Sequence, residues 1–214
     1  RTLDYYRNIE GIDWQDEVIQ TGIVQIHNVS VRGGTEQTKY AISGSIYDQK
    51  GVIVNTGLKR YTGRITLDQK LSSKVTVGVT ANYSGVTNYG QVLNQGAGSS
   101  SPSSYVLFRT WAYRPVTPDG TDLLNELVDN NAVNNSDFRV NPFIDLENQY
   151  QYNTTNLLSG NGYVSFDITE DLVFKTTAGI RHENVRLDRF YNSKTSQGSP
   201  YNPNNVNGIN GMVR

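Results

Sequence analysis

The stretch YTGRITLDQKLSSKVTVGVTANYSG, residues 61–85, alternates apolar and polar side chains in two runs that are separated by a short polar turn. Tyr61 and Ile65 share one face of the first run, and Val75 and Val77 share one face of the second. A period of two is typical of β-strands whose faces meet different surroundings. The stretch therefore predicts an antiparallel hairpin.

Two further stretches repeat this pattern, so the sequence predicts three hairpins and six strands. Residues 26–48 contain the short polar link GTEQT, and residues 158–180 turn at TED. Short links within hairpins alternate with long segments between them. In an up-and-down sheet, alternate connections emerge at opposite ends. Outer-membrane barrels have this asymmetry, with short turns on one side and long loops on the other.

The predicted strands are longer than the roughly 5–6 residues usual in globular proteins and reach the roughly 9–11 residues that cross a bilayer. Tyr40, Tyr83 and Phe166 lie toward strand ends, where barrels carry aromatic girdles. We therefore predict an all-β fold, an antiparallel up-and-down meander from a large transmembrane β-barrel, with long loops that contain short helices. A soluble or surface-exposed β-sandwich that serves in binding or adhesion shows the same alternation and remains the alternative.

The composition excludes several classes of function. The 214 residues carry a formal net charge of −1 and include no Cys and only two His, far apart in the chain. Lys and Arg are scattered along the chain and form no basic cluster of the kind that a nucleic-acid binder has. The absence of Cys excludes thiol catalysis and thiolate metal sites. No nucleophilic triad or phosphate-binding loop is recognisable. We therefore predict no enzyme activity, no catalytic residues, no cofactor, no metal and no nucleic-acid partner.

Several short sequence motifs, taken in order along the chain, resemble the beginning of the barrel in SusC/RagA-type TonB-dependent outer-membrane transporters. They are DWQDEV at 13–18, NVSVRGGTEQTKY at 28–40, YRPVTPDGT at 113–121, NPFIDLEN at 141–148 and NLLSGNGYVSFDITEDLVFKTTAGI at 156–180. Members of that family carry a tryptophan-glutamine-aspartate phrase, a first turn similar to GGTEKTKY and a second turn similar to KLSDKL. The resemblance covers most of the chain.

The resemblance implies a plugged barrel of about 22 strands that is energised by TonB and imports bulky nutrients, oligosaccharides or peptides, across the outer membrane of a Gram-negative bacterium. The implied partners are TonB, a SusD-type surface lipoprotein that sits as a lid, and outer-membrane lipid. The family's plug and most of its barrel have no counterpart here. We therefore expect one segment of such an importer, which by itself would associate through its open sheet edges.

On this interpretation the chain has five parts, and its start at Arg1 is read as a cut. They are a plug-to-barrel connecting segment at 1–25, two hairpins at 26–85, a long extracellular-type loop at 86–156, a third hairpin at 157–184 and the start of another long loop at 185–214.

Two sets of residues are candidates for a functional site. In the long loop, Ser101 or Ser103 is expected to cap a short helix that runs through Trp111. Aromatic faces stack on sugar rings and Arg forks hold carboxylates, so contact with a solute or a lid is predicted for Tyr105, Arg109, Trp111, Tyr113 and Arg114. The alternative is that the loop's aromatic side chains only pack it onto the barrel rim.

The second set would line the lumen of the barrel. It consists of Arg60, Arg64, Lys175 and Arg181, which share strand parity with Asp68, Asp167 and Glu183. These charges would either line a conduit for polar solutes or pair with a plug and fix it to the wall. The sequence leaves both interpretations open.

Overall fold

The computed structural model describes residues 4, 7, 9–91, 106–116, 124, 141–195 and 198. Their strands are β1 (Val24–Gly34), β2 (Thr38–Lys50), β3 (Gly57–Lys70), β4 (Val75–Tyr89), β5 (Gln149–Asp167) and β6 (Val173–Tyr191). Short helices occupy the connections, with α1 (Trp14–Val18) before β1 and both α2 (Val106–Ala112) and α3 (Pro142–Glu147) between β4 and β5. Among the helices described, none is long and apolar enough to cross a membrane.

The six strands form one antiparallel sheet in the order of the sequence, β1 to β6. Each strand pairs with the next along nearly its whole length. The predicted up-and-down meander is therefore confirmed. Within the described ranges no second sheet packs on this one, so a two-sheet sandwich finds no support there.

Hydroxyl side chains close two of the three short connections. The backbone N–H of Thr38 donates to Oγ1 of Thr35 over 3.1 Å, and that of Val75 donates to Oγ of Ser72 over 3.1 Å. Ser and Thr favour turns because their oxygens satisfy nearby backbone donors. All three predicted hairpins turn where the sequence places the turn.

The third hairpin is longer than the sequence indicates. β5 and β6 have 19 residues each, so that the pairing extends back to Gln149 and forward to Tyr191. Residues 149–156 contain almost no aliphatic side chain, and the hydrophobic alternation therefore stops before the strand does. Backbone pairing with 185–191 satisfies their N–H and C=O groups instead.

The strand register separates an apolar face from a polar face. The apolar face carries Val29, Val31, Ile42, Ile65, Leu67, Val75, Val77, Val79, Val164, Phe166, Phe174 and Ile180. Its side chains are open to the surroundings, with Val29 exposed by 72% and Ile180 by 70%. A contiguous exposed apolar surface of this kind requires an apolar partner or lipid.

Three tyrosines lie over glycines directly opposite them on the neighbouring strand. The pairs are Gly33 with Tyr40, Gly57 with Tyr89 and Gly78 with Tyr163. A Cβ atom added at any of these glycines would overlap the tyrosine ring. Each pair therefore favours a single register, because a slip of one residue would put a side chain under the ring.

Replacing Gly78 by Ala is expected to destabilise the protein by about 1–3 kcal/mol, as overpacking of a close contact does. The added methyl group would displace the Tyr163 ring, whose hydroxyl donates to Oδ1 of Asp68 over 2.6 Å. The thermal unfolding midpoint of the purified protein measures the effect. The matched control is Gly63→Ala, because a Cβ at Gly63 would meet no atom within 4 Å. Equal midpoints for the two variants would contradict the role given to the Gly78–Tyr163 pair.

Candidate functional site

A small helical core lies at the end of the sheet that carries the long connections. Val18 of α1, Ile53 of the link between β2 and β3, Val106 of α2 and Leu146 of α3 are buried together. We call α1, α2, α3 and residues 51–56 the cap. Since both faces of the sheet are largely open, the cap holds most of the buried apolar side chains of the described chain.

Backbone pairing holds α1 to residues 51–56 of the cap, and the side chain of Asn55 joins the cap to the start of β5. Ile19 forms a β-bridge with Ile53, and the N–H of Val54 donates to the carbonyl of Val18 over 3.0 Å. Asn55 adopts a left-handed conformation with φ 58°, and its Nδ2 donates to the carbonyls of Leu146 and Gln149. Asn is one of the few residues that tolerates this conformation. The residues before β1 therefore lie at the same end of the sheet as the long connection between β4 and β5.

A capping residue sets where α3 begins. Oδ1 of Asn141 accepts from the N–H groups of Phe143 and Ile144 at 3.0 and 3.2 Å, and Pro142 occupies the first helical position. Both choices are typical of helix starts, since the cap satisfies free N–H groups and Pro has none to lose. This start turns Asp145 toward α2.

A buried ion pair joins α2 to α3. Nη2 of Arg109 lies 2.8 Å from Oδ2 of Asp145, and the two side chains are 10% and 1% exposed. Nε2 of Gln149, at the start of β5, donates to the same carboxylate oxygen over 2.6 Å. Removing one charge of such a pair leaves the other buried and uncompensated, so the pair makes the cap depend on both residues.

Aromatic contacts hold residues 11–15 beside residues 110–115. Trp14 and Tyr113 are buried and meet edge to face, with ring centroids 5.0 Å apart and planes at 78°. Nε1 of Trp14 donates to the carbonyl of Arg114 over 2.9 Å, and the N–H of Ile12 donates to that of Pro115 over 2.9 Å. The two segments are thus fixed relative to each other.

Between these segments lies an open concavity of about 400 Å³, whose lining includes Asp13, Gln15, Thr110 and Trp111. Trp111 is 64% exposed, and its Nε1 donates to Oε1 of Gln15 over 3.2 Å. A fixed, exposed indole beside amide and carboxylate oxygens provides an apolar surface with hydrogen-bonding groups at its edge. Such a surface suits contact with a solute or with another protein.

The residues predicted for solute or lid contact occupy different environments. Trp111 is exposed, Arg114 is half-buried, Arg109 is buried in the cap and Tyr113 is buried just after α2, while Tyr105 lies outside the described residues. α2 runs through Trp111 as the sequence predicts, whereas the expected capping serines lie outside the described ranges. The four described residues thus lie together on α2 and directly after it, and their contact with a solute or lid stays a prediction.

The residues predicted to line a lumen share one face of the sheet. Arg60, Arg64, Lys175 and Arg181 all lie on the polar face. The Arg60 guanidinium stands 5.1 Å from the centre of the Tyr47 ring, Nζ of Lys175 stands 4.1 Å from that of Tyr163, and Arg181 pairs with Glu183 over 2.8 Å. That this face lines a lumen stays a prediction. In the described part of the chain, no three His, Cys, Asp or Glu side chains gather as a metal site would need.

Sequence reasoning missed Asp145 and Gln149, which complete the buried network, and the Gly78–Tyr163–Asp68 contact. The Asn-Pro pair at 141–142 is a helix-start signal from which the inward position of Asp145 follows in part. No sequence signal gives Tyr163 its partner, because Asp68 lies two strands away and only the register of β3, β4 and β5 brings them together.

The sequence of the chain is similar to those of known proteins. The chain is 27% identical over 199 residues to TonB-dependent receptor P3 of Formosa agariphila, a match that covers 87% of the chain and 18% of the relative. It is 31% identical over 55 residues to TonB-dependent receptor SusC of Bacteroides thetaiotaomicron, which covers 26% of the chain and 6% of that protein. No protein-family model matches the chain. The chain thus spans less than a fifth of the length of these relatives.

The fold is also similar to that of solved structures. The RagAB peptide transporter matches 91% of the chain and 21% of the solved chain with a TM-score of 0.61 and 19% identity. The open-open state of the RagAB peptide importer matches 89% of the chain and 20% of its own with a TM-score of 0.60. At this identity the likeness establishes the fold.

In sequence the chain is similar to the class of TonB-dependent receptors, and its six-stranded meander is similar to part of the RagAB structures. Within that class the resemblance to the SusC/RagA type is confirmed, and the chain is similar to one segment of such proteins.

Proposed function

We propose that this chain forms part of the wall and outer rim of a TonB-dependent importer of bulky nutrients in the outer membrane of a Gram-negative bacterium. The apolar face of the sheet lies against lipid and the polar face lines the lumen. The end with the long connections, where the cap lies, is extracellular. The chain's own role is positioning and passage, without covalent chemistry.

The observation that carries this proposal is the exposed apolar face on long strands. The strands have between 11 and 19 residues, and the roughly 9–11 residues needed for a bilayer crossing fit within each of them. On β4 the apolar face runs from Val75 to Tyr83, which ends in an aromatic residue as a membrane interface favours. A water-soluble sheet would have to cover such a face with protein.

The cap supports a role at the rim. Trp111 and Phe108 are exposed, and the Arg109–Asp145 pair beneath them holds α2 in place. In this proposal Trp111 contacts the solute or the lid, while Arg109 and Tyr113 position it. Exposed Trp side chains on rigid supports are typical of binding hot spots.

For the full-length protein we propose TonB as the energy source and a SusD-type surface lipoprotein as the lid. The sheet edges of β1 and β6 would then be covered by further strands of the same barrel. The isolated chain would associate with itself through these edges, and light scattering that reports a monomer in plain buffer would overturn that expectation.

Cysteine labelling of the full-length protein in its own bacterium tests the orientation. The chain has no Cys, so single substitutions provide unique labels once any Cys elsewhere is replaced by Ser. Phe108→Cys, on the cap, is expected to react with a membrane-impermeant maleimide on intact cells. Ser73→Cys, in the exposed turn between β3 and β4, is expected to react only after the cells are broken.

The pattern of labelling decides between orientations. Labelling of Ser73→Cys but not of Phe108→Cys on intact cells would invert the proposed topology. Recovery of both variants in a soluble fraction would overturn the outer-membrane assignment itself.

A further inference from the structure

The four basic residues predicted to line the lumen differ in the protein group that each already contacts. The Arg60 guanidinium lies near the Tyr47 ring, the Lys175 ammonium lies near the Tyr163 ring and Arg181 pairs with Glu183. In the part of the chain that the structure describes, Arg64 is exposed and its side chain makes no hydrogen bond or ion pair. Asp68, the next acidic residue along β3, lies about 13 Å away at about 3.3 Å per residue and accepts from Tyr163.

The surroundings of Arg64 are short, uncharged and polar. Its cross-strand neighbours are Ser43 and Asn82, and the adjacent row on the side of Thr62 consists of Asn28, Ser45, Thr62 and Ser84. Together they line a concavity of about 460 Å³. Short side chains leave room above the sheet. Their hydroxyl and amide groups are hydrogen-bond donors on the same face of the sheet as the Arg64 guanidinium.

We propose that Arg64 and this hydroxyl-lined concavity form a binding site for a carboxylate group. A guanidinium presents two parallel N–H donors that match the two oxygens of a carboxylate, and such pairs are both stronger and more directional than neutral hydrogen bonds. Ser43 and Asn82, one on each side, are placed to donate to the same oxygens. A neutral solute would leave the Arg64 charge unmatched.

The inference rests on the proposed function only in that the polar face is the lumen wall. The carboxylate has two possible sources there, a solute in passage or an acidic side chain from another part of the full-length protein. The chemistry recognised is the same for both, and the experiment distinguishes them.

Chemical modification of arginine tests the site. The purified full-length protein in detergent is treated with phenylglyoxal, and the modification of each arginine is followed by mass spectrometry with citrate or with sodium chloride at equal ionic strength. At a citrate concentration about ten times its dissociation constant, Arg64 is expected to react about tenfold more slowly, since only unoccupied sites react. Arg181, in the same row across the sheet but already paired with Glu183, is the matched control.

Each outcome has a defined meaning. Protection of Arg64 by citrate, with none at Arg181, supports a site open to a solute. Low reactivity of Arg64 without citrate that rises in concentrated sodium chloride supports the same site filled by the protein's own carboxylate. Equal reactivity of Arg64 in citrate and chloride, at the rate of an exposed arginine, would overturn the proposal. The assay needs no transport or membrane orientation, so its failure is distinct from failure of the cysteine-labelling experiment.

Discussion

Replacing Asp145 by Ala is expected to destabilise the cap by about 3–5 kcal/mol, the cost typical of removing one partner of a buried ion pair. The Arg109 guanidinium would stay in a site where its side chain is only 10% exposed, without the carboxylate 2.8 Å away. Gln149 would also lose the acceptor of its 2.6 Å hydrogen bond. Since α2, α3 and β5 meet at this carboxylate, the loss affects all three.

Hydrogen exchange of the full-length protein in detergent measures this effect locally. The amides of α2 and α3 are expected to exchange about a hundredfold faster or more in the variant, because local opening becomes easier by the lost free energy. Amides in the middle of β3 and β4, away from the cap, are expected to keep their rates. The surface around Trp111 would lose its fixed shape in the variant, and the proposed contact with a solute or lid would weaken.

A double variant separates the effect of the two charges from the effect of the side-chain volume. Arg109→Met with Asp145→Leu removes both charges and keeps most of the volume, and such exchanges are often neutral or stabilising. We therefore expect exchange in this double variant to be much closer to that of the natural protein than in Asp145→Ala. If Asp145→Ala alone exchanged at the natural rate, the ion pair would not be what holds the cap.

Val79→Arg is expected to cost about 2–4 kcal/mol and to lower the amount of protein assembled in the outer membrane, because in the proposed orientation it puts a poorly solvated charge at the middle of the lipid-facing band. Val79 is 55% exposed and lies at the centre of the apolar run from Val75 to Tyr83. Quantitative immunoblotting of outer-membrane fractions measures the loss.

The neighbouring residue offers the control for that experiment. Thr80 lies on the same strand and on the polar face, opposite Thr66 and Asn161. Thr80→Arg adds the same charge at the same depth, and we expect it to leave the outer-membrane level almost unchanged. A greater loss for Thr80→Arg than for Val79→Arg would mean that the two faces of the sheet have been assigned the wrong way round.

These experiments bear on two kinds of residue that sequence reasoning treats differently. The apolar face is predictable because a period of two depends only on neighbours along the chain, so the spacing of Val75, Val77 and Val79 is enough to define it. The aromatic loop is less predictable. Arg109 and Trp111 are two residues apart on α2 and look equally suited to a ligand, yet one is buried against Asp145 and the other is exposed.

The sequence by itself determined the three hairpins, the alternation of the two faces and the resemblance to SusC/RagA-type transporters, because strand periodicity, turn residues and short motifs are local properties of the chain. Only the tertiary structure decided that Asp145 neutralises Arg109, that Tyr163 reaches Asp68 across Gly78 and that, within the described chain, Arg64 alone among the four predicted lumen residues contacts neither an aromatic ring nor a carboxylate. Those contacts join residues between 36 and 95 positions apart, or concern the absence of such a partner. They depend on register and on how the long connections fold back, which no local pattern specifies.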